Sequence, residues 1–294
     1  MKAGFVAVVG RANAGKSTLV NVLVGEKVSI VSPKPQTTRD RICGVYNSDD
    51  CQIVFVDTPG LYKAENKLNS IMQKTIEDSL QDVDALLFVT DAHDGLTEKD
   101  VTLIKKYTSL KIPAVAVLTK TDIMPESLLL SELKTLSDVQ ADVVPVSARR
   151  GKNIKELLKV IKDKLPEGEK IFGDDVISDR SEKFMISEIM REKILLKFDK
   201  EIPHGVAVIV NRFALREDGK IYDIDVDVIC ERDNHKAILI GKGGRALKEV
   251  SSFARADMEK FLGKKVFLTT YVKVEEKWRD SLQLIRRNGY DENV

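Results

Sequence analysis

Cysteine is scarce: Cys43, Cys51 and Cys230 are the only three in 294 residues, an odd number without the paired spacing that a zinc site or a redox motif requires. Reduced, partly buried thiols are expected. Histidine is equally rare, and His93, His204 and His235 stand too far apart to suggest a zinc cluster. Long apolar runs are also missing. Stretches such as Ala85 to Val89 and Val206 to Val210 are strand-sized, far short of the roughly 20 residues a bilayer-spanning helix needs. No transmembrane segment is therefore expected. The N-terminus runs straight into a glycine motif rather than a small-residue cleavage site, which reads as a first strand and not as a signal peptide. Nor is there a surplus of one charge: 47 Lys and Arg face 46 Asp and Glu, a net charge of +1. That balance excludes a generally cationic nucleic-acid coat, so any basic footprint must be local. Internal repeats and low-complexity tracts are absent.

What is present is an ordinary folding composition, 43% apolar and 32% charged, far from the core-poor signature of disorder. The length exceeds what one core usually holds and points to two domains. From Phe5 to Leu165, β-rich runs at Phe5 to Val9, Ile53 to Asp57, Ala85 to Asp91, Ala114 to Thr119 and Val143 to Ser147 alternate with segments of helical periodicity. Continuously apolar strands separated by helices predict a doubly wound α/β domain whose mostly parallel sheet is covered on both faces. The Pro, Gly and charge mixture around Pro166 to Ser181 breaks this rhythm. We place a first domain over 1–167, a linker over 168–180 and a second domain over 181–294. The second follows an α+β order: a helix near Glu182 to Phe198, strands near Val206 to Leu215 and Ile221 to Glu231, helices flanking Gly241, a strand near Val266 to Val274 and a closing helix.

Gly10-Arg-Ala-Asn-Ala-Gly-Lys-Ser17 matches the phosphate loop G-x-x-x-x-G-K-[ST] and lies between a strand and a helix, the setting that motif demands. Its glycines let backbone N–H groups and a helix N-terminus face phosphate oxygens, with Lys16 reaching the β and γ phosphates and Ser17 offering a hydroxyl to magnesium. Asn13, Ala14, Gly15 and Thr18 complete the expected phosphate-binding set. The loop alone specifies a nucleoside triphosphate, not which one. Asp57-Thr-Pro-Gly60 ends a strand, where Asp57 is expected to hold magnesium and Gly60 to give an N–H to the γ phosphate. Thr119-Lys120-Thr-Asp122 is similar to the guanine-reading Asn-Lys-x-Asp element, with Thr in place of the usual Asn. Asp122 would accept from base N1 and the amino group, a pairing adenine cannot offer. Ser147 and Ala148 occupy the place of the last guanine element.

In the second domain, Gly241-Lys-Gly-Gly244 fits the GxxG loop that in KH domains clamps unpaired nucleotides. Lys236, Lys242, Arg245 and Lys248 surround it, while Ile238, Leu239 and Ile240 lead in, so charge can meet phosphate beside an apolar groove. From Ser181 onward there are 22 Lys and Arg against 20 Asp and Glu, which favours local, groove-based binding. Trp278, Tyr271 and Tyr290 read as core side chains rather than a stacking platform.

Pro35-Gln-Thr-Thr-Arg39, Asp57-Thr-Pro-Gly-Leu61 and Ile238-Leu-Ile-Gly-Lys-Gly-Gly244 together resemble the Era family of bacterial ribosome-assembly GTPases over nearly the whole chain. The resemblance implies a GTPase domain joined to a type II KH domain, acting on the 3′ end of 16S rRNA during assembly of the 30S subunit, in the cytoplasm and as a monomer, with peripheral membrane contact reported across the family. It implies GTP or GDP with Mg2+ at the loop, a magnesium-completing hydroxyl from Thr37 or Thr38, with Thr38 favoured, and for Asn13 one of two roles, support of a potassium ion near the phosphates or a loop-bracing amide. Lys16, Thr38 and Gly60 are the catalytic set, and Gly241, Lys242, Gly243, Gly244, Arg245 and Lys248 the RNA set. Leu61 replaces the water-orienting Gln of Ras-like enzymes, which implies slow hydrolysis. Two alternatives stay open: a GTPase acting on another RNA or protein target, and a P-loop ATPase in which Thr119 marks lost guanine selectivity.

Overall fold

The computed structural model describes residues 1–61 and 65–290. They fall into two compact units, a first from 1–31, 38–61 and 72–179 and a second from 32–37, 65–71 and 180–290. The last four residues of the expected second domain lie outside the described ones.

The first unit is a six-stranded sheet in the order β2-β3-β1-β4-β5-β6. Its strands are β1 (Lys2–Val9), β2 (Ile42–Ser48), β3 (Cys51–Asp57), β4 (Ala85–Asp91), β5 (Ala114–Thr119) and β6 (Asp142–Pro145). All pair in parallel except β2, which runs antiparallel to β3. Helices α1 (Lys16–Val24), α2 (Lys67–Asp78), α3 (Glu98–Thr108) and α4 (Glu126–Thr135) connect the strands, and α5 (Ile154–Lys164) follows the last of them. Side chains on a strand alternate between faces, and both faces here are buried. Val6, Val8, Phe55, Leu87 and Val115 pack with Leu19, Leu157 and Ile161 on one face. Ala7, Val9, Leu86, Phe88 and Leu118 pack with Ile76, Ile104 and Leu136 on the other. Each buried Val, Leu, Ile or Phe among them stabilises the fold by roughly 1.5–3 kcal/mol, and the sheet they build carries the loops described below.

The segment expected as a linker is strapped to this sheet. Val45 N–H donates to the Ile177 carbonyl at 2.9 Å, Cys43 N–H donates to Asp179 Oδ1 at 2.9 Å and Ser178 Oγ to the Cys43 carbonyl at 2.8 Å. Gln52 Oε1 accepts from the N–H groups of Ile171 and Phe172 at 2.7 and 2.9 Å, and Phe172 packs against a small cluster of Cys43, Val54 and Val56. The reason is the edge position of β2, whose outward N–H and C=O groups need partners.

The second unit runs α6 (Glu182–Lys197), β7 (Ala207–Leu215), β8 (Ile221–Cys230), α7 (Asp233–Ile240), α8 (Arg245–Leu262), β9 (Lys265–Val274) and α9 (Leu282–Arg287). Ser181 caps α6, accepting from Phe184 N–H at 3.2 Å. Strands β7 and β8 form an antiparallel pair and β9 joins β8 in parallel. Ile224, Val226, Val228 and Cys230 project from β8 into a core shared with Ile186, Met190, Val250 and Met258. Trp278 is fully buried, donates from Nε1 to the Gly205 carbonyl at 2.9 Å and stacks on Tyr290, whereas Tyr271 is exposed. All three cysteines are free and buried. Among the described residues no helix is long and apolar enough to cross a membrane.

Candidate functional site

Because β1, β3, β4 and β5 are parallel, Val9, Asp57, Asp91 and Thr119 all end at one edge of the sheet, where ligands bind in open α/β folds. The loop leaving β1 curls through residues with positive φ: Gly10 (152°), Asn13 (63°) and Gly15 (91°). Such a turn gathers backbone N–H groups into a concavity suited to an anion. It feeds α1, whose N-terminus has no side-chain cap and no acidic residue in its first turn, so its N–H groups are left for a ligand. Thr18 sits half-buried on that turn. Lys16 Nζ donates to the carbonyls of Gly10 and Arg11 at 3.1 and 3.0 Å. Burial pulls its pKa down to about 8, with the Asp57 carboxylate opposing.

Three oxygen-bearing side chains converge beside Lys16. Ser17 Oγ donates to Asp57 Oδ2 at 2.7 Å, and Thr38 Oγ1 lies 2.8 Å from Ser17 Oγ and 3.4 Å from Asp57 Oδ2. The Thr37 hydroxyl instead donates to the Lys34 carbonyl at 2.8 Å. Asp57 Oδ1 is buried without a hydrogen-bond partner among the described residues. Burial raises the Asp57 carboxyl, while the Lys16 charge and the Ser17 hydroxyl pull the other way. Two hydroxyls and a carboxylate with a spare oxygen match the hard-oxygen preference of a divalent cation. At the end of the same loop Leu61 N–H donates to the Gly10 carbonyl at 3.0 Å. Gly60 lies so close to the phosphate loop that a Cβ there would stand 2.7 Å from Ala12 Cα and 2.8 Å from its nitrogen.

The loop after β5 is tied to the phosphate loop. Thr119 Oγ1, where the expected motif has an amide, reaches the Ala14 carbonyl at 2.7 Å and the Thr90 carbonyl at 3.1 Å. The shorter side chain thus makes the bracing contact directly. Lys120 follows with a positive φ of 60°, and Asp122 Oδ1 accepts from Ser147 Oγ at 2.7 Å. That hydrogen bond, helped by Arg150 and Arg149, holds the Asp122 carboxyl below its ordinary range, so at neutral pH it is an ionised acceptor. Arg150 N–H donates to Ser147 Oγ at 3.2 Å, and Ala148 is half-buried between them.

In the second unit Gly241, Gly243 and Gly244 all take positive φ, and Lys242–Gly244 form a tight turn between α7 and α8. Lys242, Gly243, Arg245 and Lys248 are exposed and Gly244 half-buried. Ile238 is also exposed while its neighbour Leu239 is buried in the core, so cationic side chains adjoin an apolar one at this turn.

Residues 5–120 match the model of the 50S ribosome-binding GTPase family, and residues 201–279 that of the KH domain. GTPase Era of Clostridium kluyveri is 43% identical over 293 residues, covering 99% of each chain. GTPase Era of Caldicellulosiruptor saccharolyticus is 44% identical over 99% of this chain and 98% of its own. The chain belongs to the Era GTPase family. It is accordingly a GTPase with a KH domain. Two solved Era structures share its fold at 38% identity, each covering 99% of both chains. Era in complex with MgGDPNP and nucleotides 1506–1542 of 16S ribosomal RNA superposes with a TM-score of 0.94. A variant of Aquifex aeolicus Era bound to GDP.AlF4- gives 0.93.

Two side chains at the site of this Era-family chain escaped the motif reading. Arg11 pairs with Asp100 at 2.9 Å, and Asp100 also closes the capping box of α3 with Thr97. Asp91, the last residue of β4, contacts both Lys120 and His93. A lone aspartate at a strand end carries no motif, and only the topology brings it beside Lys120.

Proposed function

We propose that this GTPase binds GTP and GDP with magnesium at the strand-end site, and that its GxxG turn binds the single-stranded 3′ region of 16S rRNA in 30S subunit assembly. The meeting of Ser17, Thr38 and Asp57 at the start of α1 carries the nucleotide half. The rRNA half is supported by the 38%-identical relative solved with MgGDPNP and a 16S rRNA segment. Cytoplasmic action as a monomer belongs to the same proposal.

Backbone N–H groups of residues 13–17 receive the phosphates, and Lys16 exchanges its Gly10 and Arg11 carbonyls for β and γ oxygens. The Ser17 and Thr38 hydroxyls and Asp57 would hold magnesium, which when bound neutralises charge on the phosphate oxygens. Asp122, kept ionised and oriented by Ser147, accepts from guanine; adenine would leave it unpaired. Thr119 keeps this base-reading loop in register with the phosphate loop. In hydrolysis water attacks the γ phosphorus, the bond to the bridging β oxygen breaks, and GDP and phosphate leave, with Gly60 N–H facing the γ oxygens. Leu61 has no group to orient that water, so turnover is slow and the protein acts as a timer.

The test is GTP hydrolysis with and without a 16S rRNA 3′ fragment, alongside filter binding of that fragment. Fluorescent GDP should bind and ADP should not, and Gly243→Asp and Gly244→Asp should abolish RNA retention. Equal GDP and ADP affinity would overturn the nucleotide assignment, and undiminished retention by both glycine variants would overturn the RNA assignment. Repeating hydrolysis in potassium and in sodium salts tests the expectation at Asn13.

A further inference from the structure

Lys120 stands in the left-handed region at φ 60°, a conformation that a non-glycine side chain keeps only when its surroundings impose it. Those surroundings are visible on both sides. Thr119 before it is pinned to the Ala14 and Thr90 carbonyls, and Asp122 after it to Ser147. The Lys120 side chain itself ends on a carboxylate, its ammonium pairing with Asp91 Oδ2. Asp91 is fixed in turn, because its other oxygen accepts from His93 N–H at 3.1 Å and sits 2.7 Å from His93 Nδ1. His93 Nε2 lies 2.8 Å from Asp94 Oδ2. A chain of contacts thus runs from Asp94 through His93 and Asp91 to the middle of the base-reading loop.

A lysine side chain is four methylenes carrying one charge, and fixing its charged end decides where the apolar stem lies. We infer that Asp91 is a positioning residue for nucleotide binding: it holds the Lys120 ammonium aside so that the methylene stem, rather than the charge, is presented to the face of the base. Asp91 does not touch the nucleotide; it acts through Lys120. Removing it frees the lysine to sample other rotamers, and binding must then order the side chain that the protein had already ordered. The inference rests on the guanine-nucleotide reading of the site. It locates part of the affinity in the end of β4, a strand that carries none of the recognised nucleotide motifs.

The experiment uses the full chain and fluorescent GDP. Asp91→Asn keeps the shape and removes the charge; the expected result is a GDP dissociation constant raised about tenfold. The readout that separates positioning from a general structural role is a double-mutant cycle with Lys120→Met, which keeps an apolar stem and lacks the ammonium. If Asp91 works through Lys120, Asp91→Asn has no further effect on affinity in that background. Full additivity of the two substitutions overturns the inference, and so does parent-like affinity of Asp91→Asn. Should Asp91→Asn not fold, Asp91→Glu displaces the carboxylate by one methylene and is expected to weaken GDP severalfold; parent-like affinity there overturns it equally. A parent protein that binds no GDP would instead refute the site assignment, so the two failures are distinguishable.

Discussion

The buried lysine of the phosphate loop makes nucleotide affinity depend on pH in a calculable way. In the empty site Lys16 has a pKa of about 8 against an ordinary 10.5, because burial penalises its charged form more than Asp57 rescues it. The sign follows from proton counting. Between about pH 8 and 10.5 the unfolded chain holds the Lys16 proton and the folded, empty protein does not, so this group's contribution to stability becomes more favourable as pH rises through that window, by roughly 3 kcal/mol in full. Binding runs the opposite way. A polyphosphate beside Lys16 restores the charged form, so above about pH 8 each nucleotide bound takes up a proton. With a free-site pKa of about 8, the GDP dissociation constant should rise about tenfold between about pH 7 and about pH 9, with about 0.9 proton taken up at the upper end. Calorimetry in two buffers of different ionisation enthalpy reads the proton count directly. Lys16→Arg, whose guanidinium does not titrate in this range, separates Lys16 from ionisation of the base. Buffer-independent heats at about pH 9, or an equal pH slope in Lys16→Arg, would refute the reasoning.

Two further substitutions probe the contacts that frame the site. Thr119→Val removes one hydroxyl at constant shape and with it the 2.7 Å donor to the Ala14 carbonyl; GDP affinity should fall about tenfold, and an unchanged dissociation constant would show that the bracing contact is dispensable. Gly60→Ala places a methyl against the Ala12 backbone and must displace the loop, so single-turnover hydrolysis should drop about a hundredfold while GDP binding changes little; a parent-like rate would show that the loop is not used at that position.

What could be read from the sequence was whatever is fixed by residue type at a set spacing or by periodicity. The phosphate loop, the Asp122 and Ser147 elements and the GxxG turn are of that kind, and so are the helices, since α5 and α6 repeat apolar residues at helical spacing. Strand β2 carries no such pattern. Its sequence Ile-Cys-Gly-Val-Tyr-Asn-Ser mixes glycine and polar residues, as suits an antiparallel edge strand whose partners come from elsewhere in the chain. The contacts of Arg11 with Asp100 and of Asp91 with Lys120 join residues 89 and 29 positions apart; no local pattern encodes such pairs. The role of Thr119 was half legible: the departure from asparagine was visible, but that a hydroxyl reaches two carbonyls depends on how closely the loops approach.

The strap formed by 168–179 has a practical corollary for dissecting the protein. Cutting at 167, the end of the first domain expected from the sequence, would strip the partners from Cys43 and Val45 and uncover the apolar patch beneath Phe172. The fragment would then present a bare, sticky margin to its own copies. A nucleotide-binding fragment intended to remain in solution needs its C-terminus after Asp179, so the stretch that composition marks as a spacer is better regarded as the final piece of the first unit.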